Sequence, residues 1–243
     1  MSLSKDIRTR IEIVQEKIDQ AAARSGRASS AVKLVVVTKA QPVDVMQAVI
    51  DADAKILGEN YPEETIQKLP KLVVPKDVEW HMIGHLQSRK SRIVADSFTL
   101  FQALDSLGLA QKLDRILADK GRILDVLLEC NVGEEESKHG WNVQTQQLVD
   151  EFVRDVEMIS QLKQLRIKGL MCMPPLFEDA QQTRPYFIRL RNLRDQLRMQ
   201  FPLIEWDDLS MGTSLDYEVA VEEGATFVRV GTAIVGPRHY NQV

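Results

Sequence analysis

One lysine and two late turns hold the residue types of this chain that could do chemistry. Lys39 stands at the end of an apolar, β-branched run, Leu34-Val35-Val36-Val37-Thr38, and the turn signal Gln41-Pro42 follows at once. Such a run reads as a strand buried on both faces whose end opens into a loop. Partial desolvation disfavours the charged form of an amine placed there, which is what a Schiff-base lysine requires. The bland alternative is a lysine that snorkels to solvent from a strand end. The two turns are Asp208-Leu209-Ser210-Met211-Gly212-Thr213-Ser214 and Arg229-Val230-Gly231-Thr232, the second followed by Gly236. Glycines let the backbone approach a ligand, and Ser and Thr add hydroxyl donors, so each turn could cradle an anion. Ordinary cap chemistry, with Thr213 or Ser214 as an N-cap, competes with that reading.

The elements that must position these residues alternate regularly. Strands are predicted at Leu34–Lys39, Lys55–Asn60, Glu79–Gly84, Thr99–Leu104, Leu124–Val132, Arg166–Met173, Trp206–Met211 and Thr226–Val235. Helices are clearest over Leu107–Asp119, Gln144–Leu162 and Asp179–Met199, and Leu215–Val221 starts another after the seventh strand. Eight strands alternating with helices in 243 residues fit a single (β/α)8 TIM barrel. A doubly wound open sheet would place a glycine-rich turn after its first strand, where this chain has Lys39-Ala40-Gln41-Pro42. In a barrel, functional groups gather at the C-terminal strand ends, and the loops after strands 7 and 8 often bind phosphate. A lysine on the first strand and two anion turns on the last two call for a ligand with both an aldehyde and a phosphate. Pyridoxal 5′-phosphate has both.

Bulk properties exclude other classes. A net charge of −4 gives no overall electrostatic case for nucleic acid or an anionic membrane. No apolar stretch approaches the length of a membrane span, and Ile7, Ile11, Val14 and Ile18 mark a leading amphipathic helix rather than a signal peptide. Cys130 and Cys172 read as buried reduced thiols, and no histidines or cysteines fall at metal-ligand spacing. The expected location is cytoplasmic. Arg189, Arg191, Arg194 and Arg198 lie opposite a Phe187, Leu190, Leu193, Leu197 stripe and read as a solvated helix face paired with carboxylates. Arg89 and Lys90 read as a helix start, or else as a secondary docking point beside the pocket.

Several further segments occur in order: Gly58-Glu59-Asn60-Tyr61, Trp80-His81-Met82-Ile83-Gly84-His85-Leu86-Gln87-Ser88-Arg89-Lys90, Lys138-His139-Gly140 and Gly169-Leu170-Met171. With Lys39, Ser210-Met211-Gly212 and Val228–Ile234, they resemble the pyridoxal-phosphate homeostasis protein family (the YggS/PROSC family) from about Val32 to Arg238. The resemblance implies a barrel of the alanine racemase N-terminal type (fold type III among pyridoxal-phosphate proteins). It implies one domain over 1–243, with a leading helix at 1–26, a barrel at 32–238 and no second β-domain. It also implies the cofactor held as an internal aldimine on Lys39. By the same resemblance Ser210, Met211, Gly231 and Thr232 ring the phosphate, with Gly212 in the same turn. Arg229 faces the pyridine nitrogen, unless it pairs with a carboxylate such as Glu59. Asn60 lies beside the ring, and His81 lines the pocket floor. Thr213, Thr38 and Val235 depart from the family's usual Met, Ser and Phe, and none of these changes removes a glycine or the lysine.

Two functions fit. One is a carrier that stores and buffers the cofactor and passes it to apoenzymes, with no catalytic residue and no metal. The alternative is an amino-acid racemase, which needs a base on each face of its carbanion. Alanine racemases take the second base, a tyrosine, from an additional domain, and here only Tyr240 in the tail could stand in. The carrier is the expectation, as a monomer or a dimer.

Overall fold

Apolar, β-branched runs form parallel strands in the computed structural model of the protein, which describes residues 2–133 and 139–237. Lys138, Arg238 and Tyr240, each used in the sequence reading, lie outside the described residues. The strands are β1 (Lys33–Val37), β2 (Ile56–Glu59), β3 (Glu79–Met82), β4 (Leu100–Leu104), β5 (Leu124–Asn131), β6 (Trp141–Asn142), β7 (Leu165–Cys172), β8 (Asp208–Ser210) and β9 (Phe227–Val230). Eight of them close a parallel ring in the order β1-β2-β3-β4-β5-β7-β8-β9 and back to β1. The two-residue β6, which the sequence did not signal, pairs with β5 outside that ring. Closure leaves no barrel strand with an open edge, and each is covered outside by helices and packed inside by side chains.

The helices are α1 (Leu3–Arg24), α2 (Val43–Asp51), α3 (Pro62–Lys68), α4 (Ser91–Ser97), α5 (Leu107–Ala118), α6 (Gln146–Ser160), α7 (Arg184–Gln200), α8 (Tyr217–Glu222) and α9 (Thr232–Val235). Their buried residues recur at helical spacing, as in Leu109, Ala110, Leu113 and Leu117 of α5. In α7 the Phe187, Leu190, Leu193, Leu197 stripe is buried. Its arginines pair outward, Arg191 with Glu223 at 2.6 Å and Arg198 with Asp207 at 2.7 Å. Arg194 pairs with Asp195 at 2.6 Å, so three of the four arginines make the carboxylate pairs expected from the sequence, whereas Arg189 donates to the Val132 carbonyl at 2.6 Å. The leading helix α1 buries Ile7, Val14 and Ile18 and packs against α2, α8 and α9. With α9 only one turn long, α1 supplies the outer cover where the last strand meets the first. Among the described residues, no helix is long and apolar enough to cross a membrane.

Most strand bounds shift by one or two residues from the predicted ones, and two ends bear on the site. The strand predicted over Thr226–Val235 stops at Val230, because Gly231 leaves the extended region (φ −111°, ψ −85°) and α9 begins at Thr232. The first strand stops at Val37. Lys39 therefore sits beyond it, in a turn closed by the Gln41 N–H donating to the Thr38 carbonyl at 3.1 Å. Ala40 completes that turn at φ 58°, a left-handed conformation rare for a residue with a Cβ.

Candidate functional site

The barrel interior has two polar layers. The inner one is a hydrogen-bond relay contributed by four strands. Arg229 Nη1 on β9 donates to Ser210 Oγ on β8 at 2.5 Å, and Ser210 Oγ donates to Gln102 Oε1 on β4 at 2.6 Å. Gln102 Nε2 donates to His81 Nδ1 on β3 at 2.9 Å, and His81 Nε2 reaches Glu79 Oε2 at 3.2 Å. Because β4 and β8 are not neighbours in the ring, the Gln102–Ser210 bond has to cross the interior. Every donor points the same way, from the guanidinium toward the carboxylate, so the dipoles reinforce one another. Burial pulls His81 below its ordinary pKa, against the opposing pull of Glu79, and the ring serves as a neutral link. Arg229 is also lowered by burial, but a guanidinium remains charged in a protein, and its second nitrogen donates to the Cys172 carbonyl at 2.9 Å.

Above this layer, at the C-terminal strand ends, lies a cavity of about 400 Å³. Lys39, Asn60, Glu129, Arg229, Gly231 and Thr232 line it together. Three buried side-chain oxygens on its wall, Gln41 Oε1, Asn60 Oδ1 and Glu129 Oε2, have no hydrogen-bond partner among the described residues. Leaving such a group unsatisfied costs about 1–3 kcal/mol, so the outer layer is built to be completed by a polar ligand or water. Burial, and then repulsion from Asp105, raises Glu129 to about pH 7, while Arg229 pulls it back. Beside the Lys39 turn, buried Glu59 accepts a hydrogen bond from Thr38 Oγ1 at 2.6 Å. Burial raises it to about 7, and Thr38, then Lys68 and Lys39, oppose the rise.

The β8 and β9 turns meet at the cavity wall. Ser214 Oγ accepts from the Gly231 N–H at 3.1 Å and from the Ala233 N–H at 3.5 Å, so the two turns are joined through one hydroxyl. Thr213 N–H and Oγ1 both donate to Asp216 Oδ1, at 2.7 and 3.0 Å, and this turn carries the chain into α8. Gly212 makes the bend possible. It sits at φ 90°, and a Cβ there would lie 2.5 Å from the Ala220 Cβ.

The predicted residues divide accordingly. Lys39, Asn60, Arg229, Gly231 and Thr232 come together on the cavity wall, whereas His81, Ser210, Met211 and Gly212 are not among the residues that line it. His81 and Ser210 belong to the relay below. Met211 is fully buried, and its N–H is committed to the Phe227 carbonyl. Arg229 does not pair with Glu59: its hydrogen bonds go to Ser210, Cys172 and Met173. The sequence put Thr213 and Ser214 in the anion turn without singling them out as lining residues, and it missed Gln41, Gln102 and Glu129. The polar residues at 102 and 129, inside otherwise apolar strands, were the available signal.

The family model for the N-terminal domain of alanine racemase matches residues 12–239. The pyridoxal phosphate homeostasis protein of Aquifex aeolicus is 38% identical over 231 residues, covering 95% of this chain and 98% of its own. The structure of PipY from Synechococcus elongatus with pyridoxal phosphate bound superposes with a TM-score of 0.77 at 32% identity, covering 90% of this chain and all of PipY. Alanine racemase from Clostridium difficile shares the fold, with a TM-score of 0.69 at 15% identity, and this chain covers 60% of it.

Proposed function

The chain belongs to the pyridoxal phosphate homeostasis protein family, and from that membership we propose that it binds pyridoxal 5′-phosphate in the barrel-mouth cavity to store, buffer and deliver it in the cytoplasm. One observation carries the reading. A lysine, a permanent cation and two glycine-bearing turns line a single cavity of about 400 Å³ in which three buried oxygens have no partner among the described residues. That wall fits the group, which when bound supplies an electrophilic aldehyde, a ring nitrogen and a phosphate.

Lys39 is the amine for the aldehyde, and the Ala40 turn holds its backbone at the cavity rim. The Ser214 hydroxyl and Thr232 are the phosphate donors, and Gly231, whose N–H is taken by Ser214 Oγ, lets the backbone come close. Arg229 serves the ring nitrogen. A cation fixed there by Ser210 and Cys172 disfavours a second positive charge on the ring and weakens it as an electron sink. Asn60 serves the side of the ring, and Ser210, Met211, Gly212 and His81 act from behind the wall as supports. The exposed rim residues Leu176 and Leu215 leave the mouth accessible to recipient apoenzymes, an arrangement that suits hand-off better than carbanion chemistry.

The test is an absorption spectrum of the purified protein, followed by borohydride reduction and peptide mass mapping. Reduction should fix the vitamer on the peptide containing Lys39, and Lys39→Ala should abolish the adduct. Label elsewhere, or a protein that stays colourless when given the vitamer, overturns the reading. Exchange of the α-hydrogen of alanine at about 1 s⁻¹ or faster would instead make the protein an enzyme.

A further inference from the structure

Beside the cavity, three strand ends bring together side chains that the cofactor reading leaves unused. His85 follows β3, Asp105 follows β4, and His139 lies on the approach to β6. Gly140 lets that approach press onto β5: at φ 96°, a Cβ there would stand 2.5 Å from the Glu129 carbonyl oxygen. His85 Nδ1 and Asp105 Oδ2 are 2.6 Å apart, and the His85 and His139 rings stack at 3.7 Å between centroids, 8° from parallel. One ligand atom from each of the three residues lies within 4.8 Å of the others.

We propose that His85, Asp105 and His139 bind a divalent transition ion of the zinc or cobalt type at the mouth of the barrel. Two imidazoles and one carboxylate are the donor set such ions prefer, whereas calcium and magnesium call for oxygen ligands. Glu129, whose buried Oε2 has no partner among the described residues, lines the same cavity wall as His85 and His139, so a further carboxylate faces this space. Asp105 is the fixed member, with a side chain 9% exposed. Both histidines are exposed. That freedom is needed, because lone pairs in two parallel rings cannot converge on one ion until a ring swings outward. Since His85 and His139 line the cavity, an ion held by them would narrow its exit and slow ligand exchange.

The inference does not rest on the cofactor reading, and its test keeps the two apart. Full-length Lys39→Ala protein, cleared of metal by a chelator and free of any vitamin B6 aldehyde that could itself chelate, is titrated with cobalt(II) while its visible ligand-field absorption is followed. Saturation at one ion per chain, displacement by zinc and an affinity at least about tenfold weaker in His85→Ala and in His139→Ala are expected. Affinity should also fall as the medium is acidified, because the ligating imidazoles must be neutral. No saturable absorption, or isotherms unchanged when both histidines are replaced, would overturn the proposal. The histidine variants should keep the parent melting temperature, which separates loss of ligands from loss of fold.

Discussion

The two polar layers inside the barrel treat their hydrogen bonds in opposite ways. In the inner layer each group from Arg229 through Ser210, Gln102 and His81 has a partner, and the donors run in one direction to Glu79. In the outer layer Gln41, Asn60 and Glu129 each keep a buried oxygen with no partner among the described residues. A satisfied buried network is rigid and specifies one arrangement, while unsatisfied groups store a cost that a ligand can relieve. The contrast teaches that the floor of the site is prebuilt by the fold and its wall is left for the ligand to finish. Arg229 belongs to both layers, and through it the scaffold sets the charge that the ligand meets.

Breaking the inner layer at its cation should have the largest effect. Arg229→Leu should cost about 4 kcal/mol in urea unfolding, since it removes the donor to Ser210 Oγ and to the Cys172 carbonyl and loses packing. A loss below about 1 kcal/mol would mean that the relay does not hold the barrel together.

Glu59 sharpens the comparison from beside the outer layer. Its folded pKa of about 7 lies above the ordinary 4.5, so the fold favours the protonated carboxyl. As pH rises from 4.5 toward 7, the unfolded chain gives up this proton before the folded chain does, and stability falls across that window. At about 1.4 kcal/mol per pH unit the fall amounts to about 3 kcal/mol. Glu59→Gln should remove that slope, so unfolding curves of the two proteins should converge at low pH and separate above neutrality, with the variant the more stable. Parallel curves would show that Glu59 is not held protonated.

A matched pair of amide replacements compares the layers directly. Gln102→Leu leaves the Ser210 donor and the His81 acceptor unpaired and should cost about 2 kcal/mol. Asn60→Leu removes an oxygen that has no partner among the described residues and should change stability by less than about 1 kcal/mol, in either direction, while weakening binding of the vitamer. Equal losses in the two variants, read by chemical denaturation, would erase the distinction between floor and wall.

Much of this was legible in the chain. Unbroken apolar runs such as Leu34–Val37 can be satisfied only by a buried parallel strand, and their alternation with amphipathic helices led to the barrel. Lys39, Arg229, Gly231 and Thr232 could be placed at one rim because strand ends in a barrel share a face. What could not be read was that Ser210 turns away from the wall while Thr213 and Ser214 reach it. Strand β8 stops at Ser210, turning that side chain inward, and the left-handed Gly212 then swings Ser214 onto the Gly231 amide.

The sequence by itself determined the fold class and set Lys39 and the two glycine-bearing turns at strand ends, because periodicity and residue type act over a few neighbours. Only the tertiary structure decided that Gln102 meets Ser210 across 108 positions of chain. It alone joined His85, Asp105 and His139 at the mouth, because ring closure brings together side chains on strands that local patterning treats as independent.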